Sequence, residues 1–144
     1  MDQIRDRLGL GQIQASVEKG ALGEFAGAGQ ARAWASGEVL PAETAAWFNA
    51  IAAHVLDFDD VLTHMRAHVS AVLVPALLAL EPEAPPHGAS YAAAYATGFE
   101  VMSRLARLMA LEHYRRGWHS TSALGILGAS VACALRLGLD EAGT

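Results

Sequence analysis

Residues able to do chemistry fall in two places. The first is NAIAAHVLDFDDVLTHMRAHVSA, residues 49–71, where Asp57, Asp59 and Asp60 are interleaved with His54, His64 and His68. A carboxylate beside an imidazole can hold one tautomer and raise its basicity, which makes an acid–base device. If the helix here runs to about Phe58, His54 and Asp57 lie three apart on one face. Asp60 continues that face if the helix does, and Asp59 points elsewhere. His68 stands just before an apolar helix, near its positive end. There the dipole disfavours the imidazolium and leaves a neutral ring suited to a general base.

The second place is HYRRGWHSTS, residues 113–122. Arg115 and Arg116 precede Gly117, and Ser120-Thr121-Ser122 opens a helix whose first N–H groups have no partner within it. Helix N-termini with arginines nearby bind carboxylates and phosphates. His119 lies at the lip of that anion site. Together the two knots suggest a small polycarboxylate substrate handled by histidines and an aspartate.

Plainer readings stand beside these. His54 can equally be a buried histidine bonded to Asp57, and His64 and His87 lie in loops where solvated side chains are expected. The Asp57-Phe58-Asp59-Asp60 run can be a capped helix end. As a metal site it is a weak pattern, because adjacent acids are not a ligand spacing, and no metal is expected. Arg104 and Arg107 read as surface or ion-paired residues.

The elements that must position these groups are helical. Residues 1–30, broken by Gly9, Gly11, Gly20, Gly23, Gly27 and Gly29, read as a weakly patterned arm with a short helix starting over Gln3–Leu8. Residues 31–144 form the helical domain. Ala31–Ala35 is a short helical or extended piece ending at Ser36-Gly37. Pro41-Ala42-Glu43 opens a helix, with proline in the first turn and an acid near the positive end. Its apolar side is Ala45, Phe48, Ile51, Ala52 and Val55. A loop over Asp59–Ala67 leads to a short buried helix, Val69–Leu80, which Pro75 should kink or start. Glu81–Gly88, with three prolines, is a linker. Ser90 caps a long helix from Tyr91 to about His113, with a core stripe of Tyr95, Phe99, Met102, Leu105 and Met109 and an ion pair Glu100–Arg104. Gly117 breaks it. The last helix runs from Ser120–Ser122 to about Leu137 and ends at Gly138. Its Gly125, Gly128, Ala129, Ala132 and Ala134 make a smooth face for close helix packing. No run is long enough for a strand, so the fold class is all-α.

Composition narrows the function classes. A net charge of −5 with no basic run argues against nucleic-acid binding. Cys133 is the single cysteine, which excludes a disulfide framework and fits a reducing compartment. No signal-peptide core is seen, and the longest apolar run, Val69–Leu80, is too short for a membrane span. A soluble, cytoplasmic protein with no membrane partner is expected. Charged residues make up 17%, against about 25% in ordinary domains, and hydrophobic residues 53%. That excess suggests self-association or a missing partner segment.

The ordered stretches ARAWASGEVLPAETAAW (31–47), NAIAAHVLDFDD (49–60), HVSAVLVPALLAL (68–80), GFEVMSRLARL (98–108) and HYRRGWHSTSALGILGAS with LGLD (113–140) resemble the MmgE/PrpD family. The resemblance implies an all-helical domain carrying the active site, a second lid domain, homodimers and no obligatory metal or cofactor. The implied chemistry is proton abstraction next to a carboxylate, then loss of water or carbon dioxide from a small tricarboxylate such as 2-methylcitrate or cis-aconitate. By motif match Asp57 is the active-site aspartate, and His68 and His119 are the two histidines. Arg115, Arg116, Thr121 and Thr63 are candidate substrate ligands. The chain departs from the pattern at Val61, where the family has Thr and Thr63 is the nearest hydroxyl. Val69 and Ser120 follow the two histidines where the family has Pro. The family's later active-site lysines have no counterpart, Lys19 being the only lysine. The alternative is a non-enzymatic helical self-association module, or a degenerate remnant of the family.

Overall fold

The computed structural model describes residues 28–82, 88–109, 111–140 and 142. The Gln3–Leu8 helix, His87 and most of the linker fall outside them. The described elements are two short strands and five helices: β1 (Ala31–Arg32), β2 (Val39–Leu40), α1 (Ala42–His54), α2 (Ser70–Ala79), α3 (Gly88–Met109), α4 (Glu112–Arg115) and α5 (Ser120–Leu137). The all-α class is right in substance, with a two-residue strand pair that periodicity could not reveal. Ala31 faces Leu40 and Arg32 faces Val39 in an antiparallel register. Gly37, at φ 77°, supplies the left-handed residue the intervening turn requires.

Asn49 fastens this small ribbon to α1. Its side-chain oxygen accepts the Trp34 N–H at 2.8 Å, and its amide nitrogen donates to the Arg32 carbonyl at 3.0 Å. Asn49 is buried and both bonds are part-buried, so they satisfy backbone groups partly withdrawn from water. Ala31, Ala33, Leu40, Ala45, Phe48 and Ala79 form a satellite core beneath it. Of the expected apolar side of α1, Ala45 and Phe48 are buried, Ile51 and Val55 are intermediate and Ala52 is exposed.

α2 is the central helix. It packs against α1, α3 and α5, and none of its residues is exposed. A helix apolar on all sides is stable only in such a place. Pro75 lies inside it rather than in its first turn, buried where no N–H can serve the preceding turn. The main core comprises Met65, Ala67, Val69, Leu73, Leu77, Ala94, Met102, Ala106, Leu124 and Ala132.

α3 and α5 make the most extensive helix pair, and small residues set their separation. A Cβ on Gly98 would sit 2.8 Å from the Gly128 carbonyl oxygen, and one on Gly128 would sit 2.5 Å from Met102 Cγ. The buried line of α3 is therefore Ala94, Gly98, Met102 and Ala106, spaced four apart. The expected stripe is displaced: Tyr95, Phe99 and Leu105 flank this line half-buried, and Met109 is exposed. α3 also starts at Gly88 rather than after a Ser90 cap, and it stops at Met109 before the separate turn of α4. The Glu100–Arg104 ion pair forms as expected, at 2.7 Å on the surface. The smooth face of α5 is taken up inside the domain, with Gly125, Gly128, Ala132 and Ala134 buried. Gly138, at φ 71°, closes the helix, and the Leu139 N–H reaches back to the Ala134 carbonyl. By length and composition α5 could cross a membrane, but 44% of it is buried in the fold, as in a core helix.

Candidate acid–base site

The site forms where α1 ends. Val55 still donates to the Ile51 carbonyl, but Asp57 adopts φ 54°, a left-handed conformation that no right-handed helix continues through. The helix thus stops at His54 and not near Phe58. The chain then reverses through a tight loop in which Leu62 and Ala67 bridge and Arg66 takes φ 50°. Ala67 and Val69 are fully buried on either side of His68, which fixes where its ring emerges.

This path changes the pairing expected from spacing. His54 does not meet Asp57; its Nδ1 lies 3.0 Å from Oδ2 of Asp59. The same Asp59 oxygen is 3.2 Å from Nδ1 of His68, and Nε2 of His68 is 3.5 Å from Oδ1 of Asp57. The two imidazole rings lie 4.5 Å apart. Asp59, assigned to another direction by helical geometry, is thus the hub, with a side chain only 11% exposed. Asp57 is open to solvent at 77%, and His68 at 19% is mostly covered. Asp60 leaves the cluster and accepts the Ser70 N–H at 3.0 Å, capping α2. Burial pushes the Asp59 carboxyl pKa up. The His54 hydrogen bond, the residue's own backbone N–H and the charges of His54 and His68 outweigh burial and hold it below its ordinary value.

A family model, the MmgE/PrpD N-terminal domain, matches residues 8–144. The chain belongs to the MmgE/PrpD family. Among curated proteins it is similar to the cis-aconitate decarboxylases of Mus musculus, 34% identical over 106 residues, and Homo sapiens, 34% identical over 107 residues. These alignments take in 70% and 71% of this chain and 22% of each relative. The chain therefore spans well under two thirds of the curated relatives it matches.

Within this MmgE/PrpD-family chain one hydrogen bond links the two knots. The buried Thr121 hydroxyl, in the first turn of α5, accepts the backbone N–H of His68 at 3.1 Å. His119 is the N-cap residue of α5, exposed, with Nδ1 2.7 Å from the Ser122 hydroxyl. No side-chain cap closes the helix end. Both arginines are exposed, and Arg116 is paired with Glu112 at 3.1 Å. His113 folds back on Trp118, their rings stacked 5.9 Å apart. Thr63 is exposed. His64 is exposed, as expected of a loop histidine, and its Nε2 also lies in hydrogen-bond reach of the buried Ser103 hydroxyl at 3.0 Å. Sequence reasoning passed over Asp59 as hub and Thr121 as the tie to His68. The first follows from a left-handed Asp57 that spacing cannot foresee. The second had a signal in the hydroxyl run at the start of α5.

Proposed function

We propose that this chain carries part of the active site of a lyase that removes carbon dioxide or water from a small tricarboxylate, with cis-aconitate or 2-methylcitrate as representative substrates. The observation that carries the reading is the facing pair His68 and Asp57, the two residues singled out by motif, set 3.5 Å apart beside the N-terminus of α5. Family membership and the similarity to cis-aconitate decarboxylases support the same chemistry.

In this reading one nitrogen of His68 lies against Asp59 and the other is turned toward Asp57 and solvent. That leaves Nε2 as the atom that accepts a proton next to a substrate carboxylate, while Asp57 holds or returns it. The uncapped N–H groups of α5 and the exposed Arg115 supply the attraction for a carboxylate. His119 stands at the same helix end, placed to donate to a bound anion.

The test is titration of the purified chain with cis-aconitate, followed by NMR of the histidine side chains and by carbon dioxide release. Binding that shifts the His68 resonances is expected, along with any turnover falling at least about 100-fold in His68→Ala. A chain at high concentration that neither binds nor converts cis-aconitate or 2-methylcitrate would defeat the reading for these residues alone.

A second reading, self-association, is favoured by one observation. Ile126, Leu127 and Leu135 of α5 and Leu108 of α3 remain exposed although the glycine face is buried. Light scattering should then show a dimer or larger species that Ile126→Lys returns to monomer. A wild-type monomer removes this reading.

A further inference from the structure

Arg66 holds a left-handed backbone, φ 50°, at the end of a tight turn in which the Leu62 carbonyl accepts its N–H at 2.8 Å. Glycine or asparagine adopts such a φ at little cost, so an arginine there calls for a reason beyond the turn. Its side chain supplies one. The guanidinium carbon lies 4.9 Å from the centroid of the Tyr114 ring in α4. A guanidinium seated on an aromatic face keeps its N–H donors for other partners. Arg104 and Arg116 each turn theirs to a glutamate, whereas no ion pair involves Arg66 among the described residues.

We propose that Arg66, seated on Tyr114, binds a second substrate carboxylate, one carried away from the carbon that His68 deprotonates, and so sets a preference for tricarboxylates over dicarboxylates. This rests on the lyase reading above and adds to it a residue that neither motif nor spacing singles out.

Burial alternates along the loop. Met65, Ala67 and Val69 are buried, while Arg66 is exposed and His68 is intermediate. Arg66 and His68 therefore leave the chain on the same outer side, and two residues of backbone span at most about 7 Å. Both also meet the second polar knot: His68 through its N–H on the Thr121 hydroxyl, Arg66 through its side chain on Tyr114. The charge of Arg66 thus stands in the seam between the two knots, within the reach of one small polycarboxylate from His68. Arginine grips a carboxylate through two parallel N–H bonds, which orient the ligand as well as attract it. A substrate held by that arm turns its other end toward Nε2 of His68. A dicarboxylate without the arm forgoes the grip, and a site built to bond a polar group discriminates against the analogue that lacks it.

The experiment titrates the whole chain by calorimetry with propane-1,2,3-tricarboxylate and with succinate, which lacks one carboxymethyl arm. Wild type should bind the tricarboxylate at least about tenfold more tightly than succinate. Arg66→Gln should weaken tricarboxylate binding at least about tenfold and leave succinate within about twofold. Arg66→Lys keeps the charge without the fork and should fall between the two. Arg66→Gly relieves the left-handed strain and should lose the preference as Arg66→Gln does, which decides the matter should Arg66→Gln fail to fold. An Arg66 that merely shapes the loop would weaken both ligands alike. Equal losses for the two ligands, unchanged tricarboxylate binding in Arg66→Gln and Arg66→Gly, or a wild type without the preference overturns the proposal and leaves the lyase reading standing. A wild type that binds neither ligand overturns both.

Discussion

Thr121 accepts the backbone N–H of His68 at 3.1 Å across 53 residues of sequence, and through this bond the start of α5 holds the loop that carries the candidate base. The Thr121 side chain is buried, and its bond adds a directional tie to a loop whose place the buried Ala67 and Val69 already limit.

Thr121→Val keeps the shape and removes the acceptor. The stranded N–H should cost about 1–3 kcal/mol in urea unfolding. Thr121→Ser keeps the hydroxyl and should lose only about 1 kcal/mol, for the missing methyl. Equal losses in the two variants would mean that the bond contributes nothing.

Gly98 and Gly128 set the approach of α3 to α5, each placed where a Cβ would press on the other's carbonyl or on Met102. Gly98→Ala should destabilise the chain by about 1–3 kcal/mol, because two packed helices must part to admit a methyl. The midpoint of thermal unfolding reads this directly. Unchanged stability would show that the helices are further apart than described.

Asn49→Ala removes the side-chain partner of the part-buried Trp34 N–H and Arg32 carbonyl. A loss of about 1–3 kcal/mol is expected, concentrated in the ribbon. Amide exchange should therefore speed up at Trp34 more than in α5.

Asp59 has a folded-state pKa below its ordinary 3.8. Its ionised form is thus favoured by folding. That stabilisation is complete above the unfolded value and disappears as pH falls through the lower folded one. Wild-type chain should lose stability on acidification below about pH 4, and Asp59→Asn should lose less over the same interval. Parallel acid curves for the two proteins would remove Asp59 from the account.

Much of this architecture is legible in the residues. Pro41-Ala42-Glu43, the hydroxyl run at Ser120 and Gly138 mark helix ends that fall within a residue or two of their expected places. The glycines of α5 announce close packing, and Gly98 answers them from α3. The misses share a cause. Helical periodicity assumes that the helix goes on, and Asp57 ends it by turning left-handed, so the face shared by His54 and Asp57 never exists. The ribbon at Ala31–Arg32 is held by Asn49 from another element, which no local pattern contains. Large residues announce a stripe on α3, but the closest approach of the helices is made at small ones, Gly98 and Gly128.

The titratable groups of the site all come from one short stretch, while their clamp arrives from far along the chain. Closing a short loop costs little entropy, and closing a long one costs more and awaits other contacts. Synthesis therefore delivers His54, Asp57, Asp59 and His68 together, well ahead of Thr121. A nascent chain halted before α5 would hold every acid and imidazole of the cluster and lack the bond that aims them.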